Sequence, residues 1–181
     1  MLFRSFNEGK RAAKAASVSK LSRKVLQDLG KLKYRTIQGQ NLLVHAVECS
    51  QIAGLLAAEM GIDIKMARRA GLLHDIGRVL DNGEASHEKA GADYVASHGE
   101  SPEVVNAILA HHDEQLMETP IAFLVGAADT ISKGRAGARA GQEPLAIERL
   151  QDVEQLALED PSIETAFAVR AGNEKIGRAH V

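Results

Sequence analysis

The chain is poor in several residue types, and each shortage excludes a class of protein. Its 181 residues include one cysteine, Cys49, which excludes an internal disulfide framework and favours a buried thiol in a reducing, cytoplasmic setting. Aromatic residues make up 3% and tryptophan is absent. No apolar run reaches the roughly 18 residues of a membrane-spanning helix, and no apolar secretory segment follows the basic first residues. Hydrophobic residues still make up 45%, enough for one domain with a real core.

Positive charge is concentrated at the start of the chain. Residues 1–35 contain ten lysines and arginines against Glu8 and Asp28, a net charge of +8. Because the whole chain carries −2, the remainder carries −10. We interpret residues 6–35 as a basic helical lead-in that can steer a polyanion. A simply solvated helix face is the alternative interpretation of the same pattern.

Apolar spacing and capping residues predict an all-α fold, because alanine and leucine dominate and no alternating run is long enough for a strand. Ser101-Pro102 and Thr119-Pro120 are strong signals for the start of a helix. The glycines from Gly134 to Gly141 predict a loop. The predicted helices span 17–29, 38–60, 64–80 and 86–97, and others begin near 101, 119, 143 and 160.

Both ends of the chain are predicted to be non-native. Leu2-Phe3-Arg4-Ser5 and Ile176 to Val181 match the translation of sequencing-adapter DNA. We therefore set residues 1–5 and 176–181 apart from fold reasoning. Coding DNA with unrelated codons at both ends would contradict this hypothesis.

Histidines and aspartates recur at positions that predict a metal centre. Neutral imidazoles together with a carboxylate that can bridge two ions are suitable ligands for divalent metals. An aspartate in an apolar, alanine-rich run needs a metal or a cationic partner. Ligands from several helices commonly build a dinuclear site, which can activate water and stabilise both oxygens of a phosphodiester displacement. The candidate residues are His45, His74, Asp75, His87, His111, His112 and Asp129.

Each candidate alone also has a structural interpretation. His45 lies on the apolar face of its predicted helix, where a hydrogen-bonded core histidine is common. His87 follows Ser86 and could simply begin a helix. The His111-His112 doublet suits a helix C-terminus, where imidazolium is favourable. The joint pattern is therefore more specific than any one of its members.

The spacing of His45, His74-Asp75 and Asp129 resembles the signature of the HD-domain phosphohydrolase superfamily, with His74-Asp75-Ile76-Gly77 as its HDIG form. Longer segments resemble the bacterial ribonuclease Y family: Lys33 to Thr36, Gly39 to Asn41, Arg69 to Gly77, Ser86-His87, Asn106 to Ile108, His111-His112 and Ala127 to Asp129. This resemblance implies an HD-domain helical bundle with a metal site between helices, and places the HD catalytic domain over residues 36–175. The implied activity is metal-dependent endonucleolytic cleavage of single-stranded RNA in mRNA decay.

The resemblance also implies roles for single residues. It makes His45, His74, Asp75 and Asp129 the core ligands, and His87, His111 and His112 the ligands of a second ion. Catalytic roles fall to His74, Asp75 and Arg78, and Glu48 is a candidate for orienting an imidazole. One or two divalent ions are expected, with Mn, Mg, Zn, Fe and Ni not distinguished. Candidate phosphate contacts are Arg78, Ser132, Arg135 and Arg139.

Three departures from the family pattern affect the surroundings of the predicted centre. Arg78 stands where the family has lysine, so a guanidinium fork replaces a compact ammonium. Asp113-Glu114 follow His112 without the family's glycine. Ala136 stands where the family has proline.

Full-length members of the resembled family carry an N-terminal membrane helix, a coiled coil and a KH RNA-binding domain. We expect this chain to be an isolated catalytic segment without them. The resemblance implies single-stranded RNA as substrate, a homodimer and RNA-decay partners. Two alternatives stay open: an HD phosphodiesterase for small or cyclic nucleotides, and a non-catalytic dimerisation or scaffold domain. Cyclic-dinucleotide members carry Gly-Tyr-Pro after the HDIG helix, and this chain does not.

Overall fold

A computed structural model describes residues 2–80, 85–135, 138, 154–156, 158–159, 163, 165–171 and 174–180. Two compact units, residues 1–133 and 134–181, divide the chain. The described part of the first unit is helical apart from one two-residue strand pair, which confirms the predicted all-α bundle. Its helices are α1 (Leu2–Ala15), α2 (Arg23–Lys31), α3 (Leu42–Glu59), α4 (Ile64–Leu73), α5 (His87–Ser97), α6 (Pro102–Ala110) and α7 (Pro120–Gly134).

Side-chain oxygens satisfy the free backbone N–H groups at five helix starts. Asp63 and Asn41 each accept two such bonds, and each serine accepts one. Such caps contribute about 1 kcal/mol each. The predicted starts near 64, 86 and 101 are therefore confirmed. The capping residues of α2 to α6 are Ser22, Asn41, Asp63, Ser86 and Ser101.

Small side chains form much of the core and let the helices approach closely. Two or more alanines on each of α3, α4, α6 and α7 are fully buried. A Cβ added at Gly71 would lie 2.9 Å from Ser50 Cα, so α4 packs directly against the backbone of α3. Burial of each leucine or isoleucine side chain in this core stabilises the fold by about 1.5–3 kcal/mol. Examples of fully buried side chains are Leu29, Leu72, Leu73 and Ile108. This rigid packing fixes the helices that carry the candidate ligands.

Three predicted helix boundaries are wrong. The helix predicted over 38–60 begins at Leu42, because β1 (Thr36–Ile37) and β2 (Gln40–Asn41) form a short antiparallel ladder. Gln38 and Gly39 turn the chain there with φ of 50° and 79°. The helix predicted over 17–29 begins at Arg23. The helix predicted over 64–80 stops at Leu73, and a 3-10 turn follows over Ile76–Val79.

The second unit contains an antiparallel strand pair, which sequence periodicity did not reveal. Strand β3 (Thr165–Ala171) pairs with β4 (Glu174–His180), with Val169 opposite Ile176. The prediction that Asp160-Pro161 opens a helix is therefore wrong beyond residue 164. The strand propensity of aromatic Phe167 and β-branched Val169 outweighs the helix propensity of alanine here. The helix predicted from Glu143-Pro144, and most of the loop from Gly134 to Gly141, lie outside the described residues.

Among the described residues, α3 is the one helix long and apolar enough to cross a membrane by length and composition alone. Half of its 18-residue window is buried inside the protein. It also buries His45 against α7. We therefore interpret α3 as the central core helix of the bundle.

Candidate metal centre

The break after α4 turns two adjacent side chains into the same interior space. His74 ends α4, and Asp75 leaves helical geometry with φ −98° and ψ 12°. Their relative exposures are 0% and 1%. An uninterrupted helix would separate consecutive side chains by about 100°. The break therefore brings the His74-Asp75 pair to one point.

The first ligand group joins α3, α4 and α7. His45 Nε2 lies 2.9 Å from Asp129 Oδ1 and 3.2 Å from His74 Nε2. His74 Nε2 lies 3.6 Å from the same aspartate oxygen. All three side chains are buried. One divalent ion could accept nitrogen and oxygen ligands from this group.

The second ligand group joins the start of α5 to the end of α6. Asp75 Oδ1 lies 3.4 Å from His87 Nε2 and 3.7 Å from His111 Nε2. The other oxygen of Asp75, Oδ2, lies 3.7 Å from His74 Nε2 in the first group. The His112 side chain is 35% exposed, so this group faces solvent. Asp75 therefore stands between the groups, as a bridging carboxylate would.

Gly77 allows α5 to approach this point. A Cβ at Gly77 would lie 1.9 Å from the backbone oxygen of His87 and 2.9 Å from the nitrogen of Gly91. Any side chain there would displace the first turn of α5. The glycine of the HDIG segment is thus required by packing, and His87 depends on it for its position.

Hydrogen bonds turn three imidazoles with Nε2 toward the centre. His74 Nδ1 lies 2.8 Å from the Gly71 carbonyl, and His111 Nδ1 lies 2.7 Å from the Ile108 carbonyl. A carbonyl only accepts, so each Nδ1 carries a proton, which leaves Nε2 as the ring nitrogen that can bind a metal. Such bonds are the usual support of metal-binding histidines.

Ser132 and Glu48 orient the third imidazole. The Ser132 hydroxyl donates to Glu48 Oε2 at 2.8 Å, so it accepts from His45 Nδ1 at 2.9 Å. Glu48 therefore reaches the imidazole through the serine, and its orienting role stays a prediction. The predicted phosphate contact of Ser132 does not agree with this position, because the residue is fully buried behind His45.

Four polar atoms of the centre are buried without a hydrogen bond of acceptable geometry. They belong to both ligand groups, and each is a nitrogen or oxygen of a kind that binds divalent ions. An unsatisfied buried polar group costs about 1–3 kcal/mol. A metal would satisfy these atoms, so the residues present fit the implied ions. The atoms are Asp75 Oδ2, His87 Nε2, His111 Nε2 and Asp129 Oδ1.

Two cations bind the carboxylates of the centre. Arg78 Nε donates to Asp75 Oδ1 at 2.6 Å, and Lys133 Nζ donates to Asp129 Oδ2 at 2.6 Å. Burial alone would raise the pKa of both aspartates, but the neighbouring histidines and these cations hold each pKa well below its usual range. Both carboxylates are therefore ionised, as metal ligands must be.

Most of the imidazoles are kept neutral. Burial lowers the pKa of His45 and His111, and burial together with His111 and Lys133 lowers the pKa of His112 to about 4. His74 differs: burial would lower its pKa, but Asp75 and Asp129 raise it. Neutral imidazole is the form that binds metal.

The other candidate positions fall into three groups. Arg78 lies at the centre, where its Nε bonds to Asp75. Arg135 is exposed and belongs to the second unit, so its predicted phosphate contact stays a prediction. Arg139 lies outside the described residues.

Cys49 lies 3.6 Å from the His45 ring nitrogens, but burial and Asp129 raise its pKa, which keeps it a thiol and agrees with its predicted apolar role.

Sequence reasoning missed two charged residues at the centre. Glu88 Oε1 lies 3.2 Å from His87 Nε2, and Lys133 contacts Asp129 one helical turn away. Both had a signal in the sequence: Glu88 follows His87 directly, and Lys133 lies four residues after a buried aspartate that needed a partner.

Comparisons with known proteins agree with this geometry. The HD domain family model matches residues 42–134, which include every candidate ligand. A crystal structure described as that of a predicted HD superfamily hydrolase from an uncultured Thermotogales bacterium superposes with a TM-score of 0.50. It is 21% identical and covers 74% of this chain and 76% of that one, so it supports the fold alone. The chain belongs to the HD domain family.

Within that family, the similar curated proteins are ribonucleases Y. The one from Desulforudis audaxviator is 47% identical over 167 residues, and the one from Clostridium perfringens is 45% identical over 168 residues. The one from Thermus thermophilus is 45% identical over 170 residues. These alignments cover 92–93% of this chain but 30–33% of the relatives. The chain thus spans about a third of the length of the proteins it matches.

Proposed function

We propose that this chain is the metal-dependent catalytic domain of an endoribonuclease that hydrolyses phosphodiester bonds of single-stranded RNA. The observation that carries the proposal is Asp75, whose two oxygens face two separate groups of metal ligands. Two ions sharing one carboxylate suit displacement at a phosphodiester. The similarity to ribonucleases Y supports RNA as the substrate class.

The residues of the two groups would hold the ions. His45, His74 and Asp129 belong to the buried position, and His87, His111 and His112 to the open one, with Asp75 between them. Bound divalent ions supply Lewis acidity toward a phosphoryl group and make water a better nucleophile. Because the second group faces solvent, the substrate would enter from its side.

Arg78 is the residue best placed to change partners during the reaction. Its side chain is 21% exposed, and its guanidinium bonds to Asp75. With Asp75 serving as a metal ligand, Arg78 would be able to bind a substrate phosphate, for which its fork geometry is suited. Arg78 would then neutralise phosphate charge, as the resemblance implies.

The basic lead-in favours a polyanion over a small nucleotide. Nine of the ten lysines and arginines in residues 1–35 are exposed, and Lys31 is half-buried. Exposed cations attract a long anion at a rate and affinity that fall with salt.

Homodimerisation, RNA-decay partners and the cytoplasmic, membrane-anchored setting of longer relatives stay predictions.

The test is cleavage of a 5′-labelled single-stranded RNA with and without Mn²⁺. We expect metal-dependent cutting that is lost in Asp75→Ala and kept in Asp93→Ala, a control at an exposed aspartate on α5. If Mn²⁺ binds and RNA stays intact while a cyclic dinucleotide is hydrolysed, the RNA proposal is wrong and the phosphodiesterase alternative holds. Intact substrates in both assays would favour a scaffold.

A further inference from the structure

Glu88 is a carboxylate at the open ligand position that the family pattern does not assign. It is the second residue of α5, directly after His87. Its Oε1 lies 3.2 Å from His87 Nε2 and 3.9 Å from His112 Nε2, and its side chain is 17% exposed. With His111, these residues each offer one ligand atom, and the four atoms lie within 4.8 Å of one another.

Helix capping alone does not explain this position. Glu88 interacts with Ser86 and its own backbone N–H, as an acid in a first helical turn commonly does. Glu103 has the same place on α6, with the same kind of bond to Ser101. Glu103 is partly buried like Glu88 but has no contact with an imidazole among the described residues, whereas Glu88 reaches two. The helix start accounts for an acid at both positions, but not for the contacts of Glu88.

Charge gives a reason for a carboxylate here. Two divalent ions would bring four positive charges to the centre, where Asp75 and Asp129 supply two negative ones. Arg78 and Lys133 already bind both of those carboxylates. The open position otherwise has only three imidazoles, which carry no negative charge, and one oxygen of Asp75. Buried His87 Nε2 and His111 Nε2 lack hydrogen-bond partners there, which independently points to a ligand between these side chains.

We propose, on the basis of the metal-dependent function above, that Glu88 is a ligand of the ion at the open position and makes it selective for Mn²⁺ or Fe²⁺. Three imidazoles alone suit a four-coordinate zinc ion. Carboxylate oxygens from Glu88 and Asp75 raise the number and hardness of the ligands, which favours six-coordinate Mn²⁺ or Fe²⁺. Glu88 thus sets which ion the second position takes.

The experiment is calorimetric titration of the metal-free chain with Mn²⁺ and, separately, with Zn²⁺. Glu88→Gln keeps the size of the side chain and removes its charge. Glu103→Gln is the matched control, because it removes an acid from the same helical position away from the imidazoles. We expect two Mn²⁺ equivalents in the unchanged chain and in Glu103→Gln. In Glu88→Gln the weaker equivalent should lose affinity by about 10- to 100-fold, with a smaller loss for Zn²⁺.

The outcomes separate this proposal from the function on which it rests. Two Mn²⁺ equivalents with unchanged affinities in Glu88→Gln would overturn the role of Glu88 and leave the metal-dependent function standing. An equal loss of Zn²⁺ and Mn²⁺ affinity would overturn the selectivity. A parent chain that binds no Mn²⁺ or Zn²⁺ would overturn both proposals. Circular dichroism of each variant verifies the fold, and Glu88→Asp, which keeps the carboxylate, should recover part of the Mn²⁺ affinity if Glu88→Gln is unstable.

Discussion

Lys133 binds Asp129 and would compete with a metal ion for that carboxylate. Its Nζ lies 2.6 Å from Oδ2, and its side chain is 18% exposed. Lys133→Met keeps the length of the side chain and removes the charge, so the carboxylate becomes more available to an ion. We expect the Mn²⁺ equivalent at the buried position to bind about tenfold more tightly, which is a gain of roughly 1.4 kcal/mol in binding free energy, as measured by calorimetry. The metal-free variant should also melt at a lower temperature, because a buried charge loses its partner.

The control for this change is Lys89→Met, which removes the lysine of another Lys–Asp pair spaced four residues apart. In that pair both side chains are more than 60% exposed, and an exposed pair contributes little. Equal Mn²⁺ affinities in the parent chain and Lys133→Met would show that Lys133 does not compete with the ion.

Asp28 links the basic lead-in to α5 at a distance from the metal centre. It is almost fully buried, accepts a hydrogen bond from Tyr94 at 2.8 Å, and pairs with Lys31 at 2.7 Å and Lys24 at 3.2 Å. Burial would raise its pKa, but these three partners lower it below the ordinary 3.8. The ionised form therefore stabilises the folded state above pH 3.8, and this contribution is lost as pH falls through the lower folded pKa.

Asp28→Asn tests that linkage. The substitution should lower the free energy of unfolding by about 1–3 kcal/mol at pH 7, as measured by urea denaturation in the presence of a chelator. The difference in free energy of unfolding between the variant and the parent chain should shrink as pH falls below 3.8, because Asp28 of the parent chain then loses its charge. A difference that stays constant between pH 7 and pH 3 would contradict the assigned pKa direction.

At the scale of elements, Gly77 joins the turn after α4 to the first turn of α5. Gly77→Ala would place a methyl group 1.9 Å from the His87 carbonyl oxygen, so α5 must shift. Overpacking of this kind costs about 1–3 kcal/mol. We expect the open position to lose its Mn²⁺ equivalent while the buried position keeps its own, as counted by calorimetric titration. In Gly134→Ala, where the added methyl meets nothing within 4 Å, both equivalents should remain.

The sequence predicted helix starts better than helix interruptions. Ser86, Ser101 and Asp63 are local signals, because each side chain caps the backbone of its own helix. The break at His74-Asp75 has no local signal, since the apolar spacing continues to Leu80. That break depends on the packing of Gly77 against α5, which is a contact between distant parts of the chain.

The same distinction holds for the candidate site. The seven predicted ligands lie together in the fold. The sequence could predict this, because their residue types and spacing match a family pattern. Glu88 and Lys133 belong to no such pattern, and their roles follow from side-chain distances that only the folded chain provides. Ser132 shows the converse: its position in the chain suggested a phosphate contact, whereas burial makes it a support for His45.

At the scale of the whole molecule, the candidate metal centre joins residues from most helices of the first unit. Its ligands come from α3, the break after α4, the start of α5, the end of α6, and α7, so an ion that binds only the folded state should stabilise the entire unit. At a free Mn²⁺ concentration 100 times the dissociation constant, binding at one site raises the free energy of unfolding by about 2.7 kcal/mol. For a chain of this size, that corresponds to a rise in Tm of about 5–10 °C.

Differential scanning calorimetry with Mn²⁺ and with a chelator measures this rise. His45→Ala removes a predicted ligand of the buried position and should abolish most of this rise, whereas His98→Ala, at the partly buried C-terminal end of α5, should keep it. Because the ligands are spread over the helices, the transition should shift as a single cooperative step and not split. A Tm that does not respond to Mn²⁺ in the parent chain would mean that the unpartnered nitrogens and oxygens of the centre are not held together by these ions.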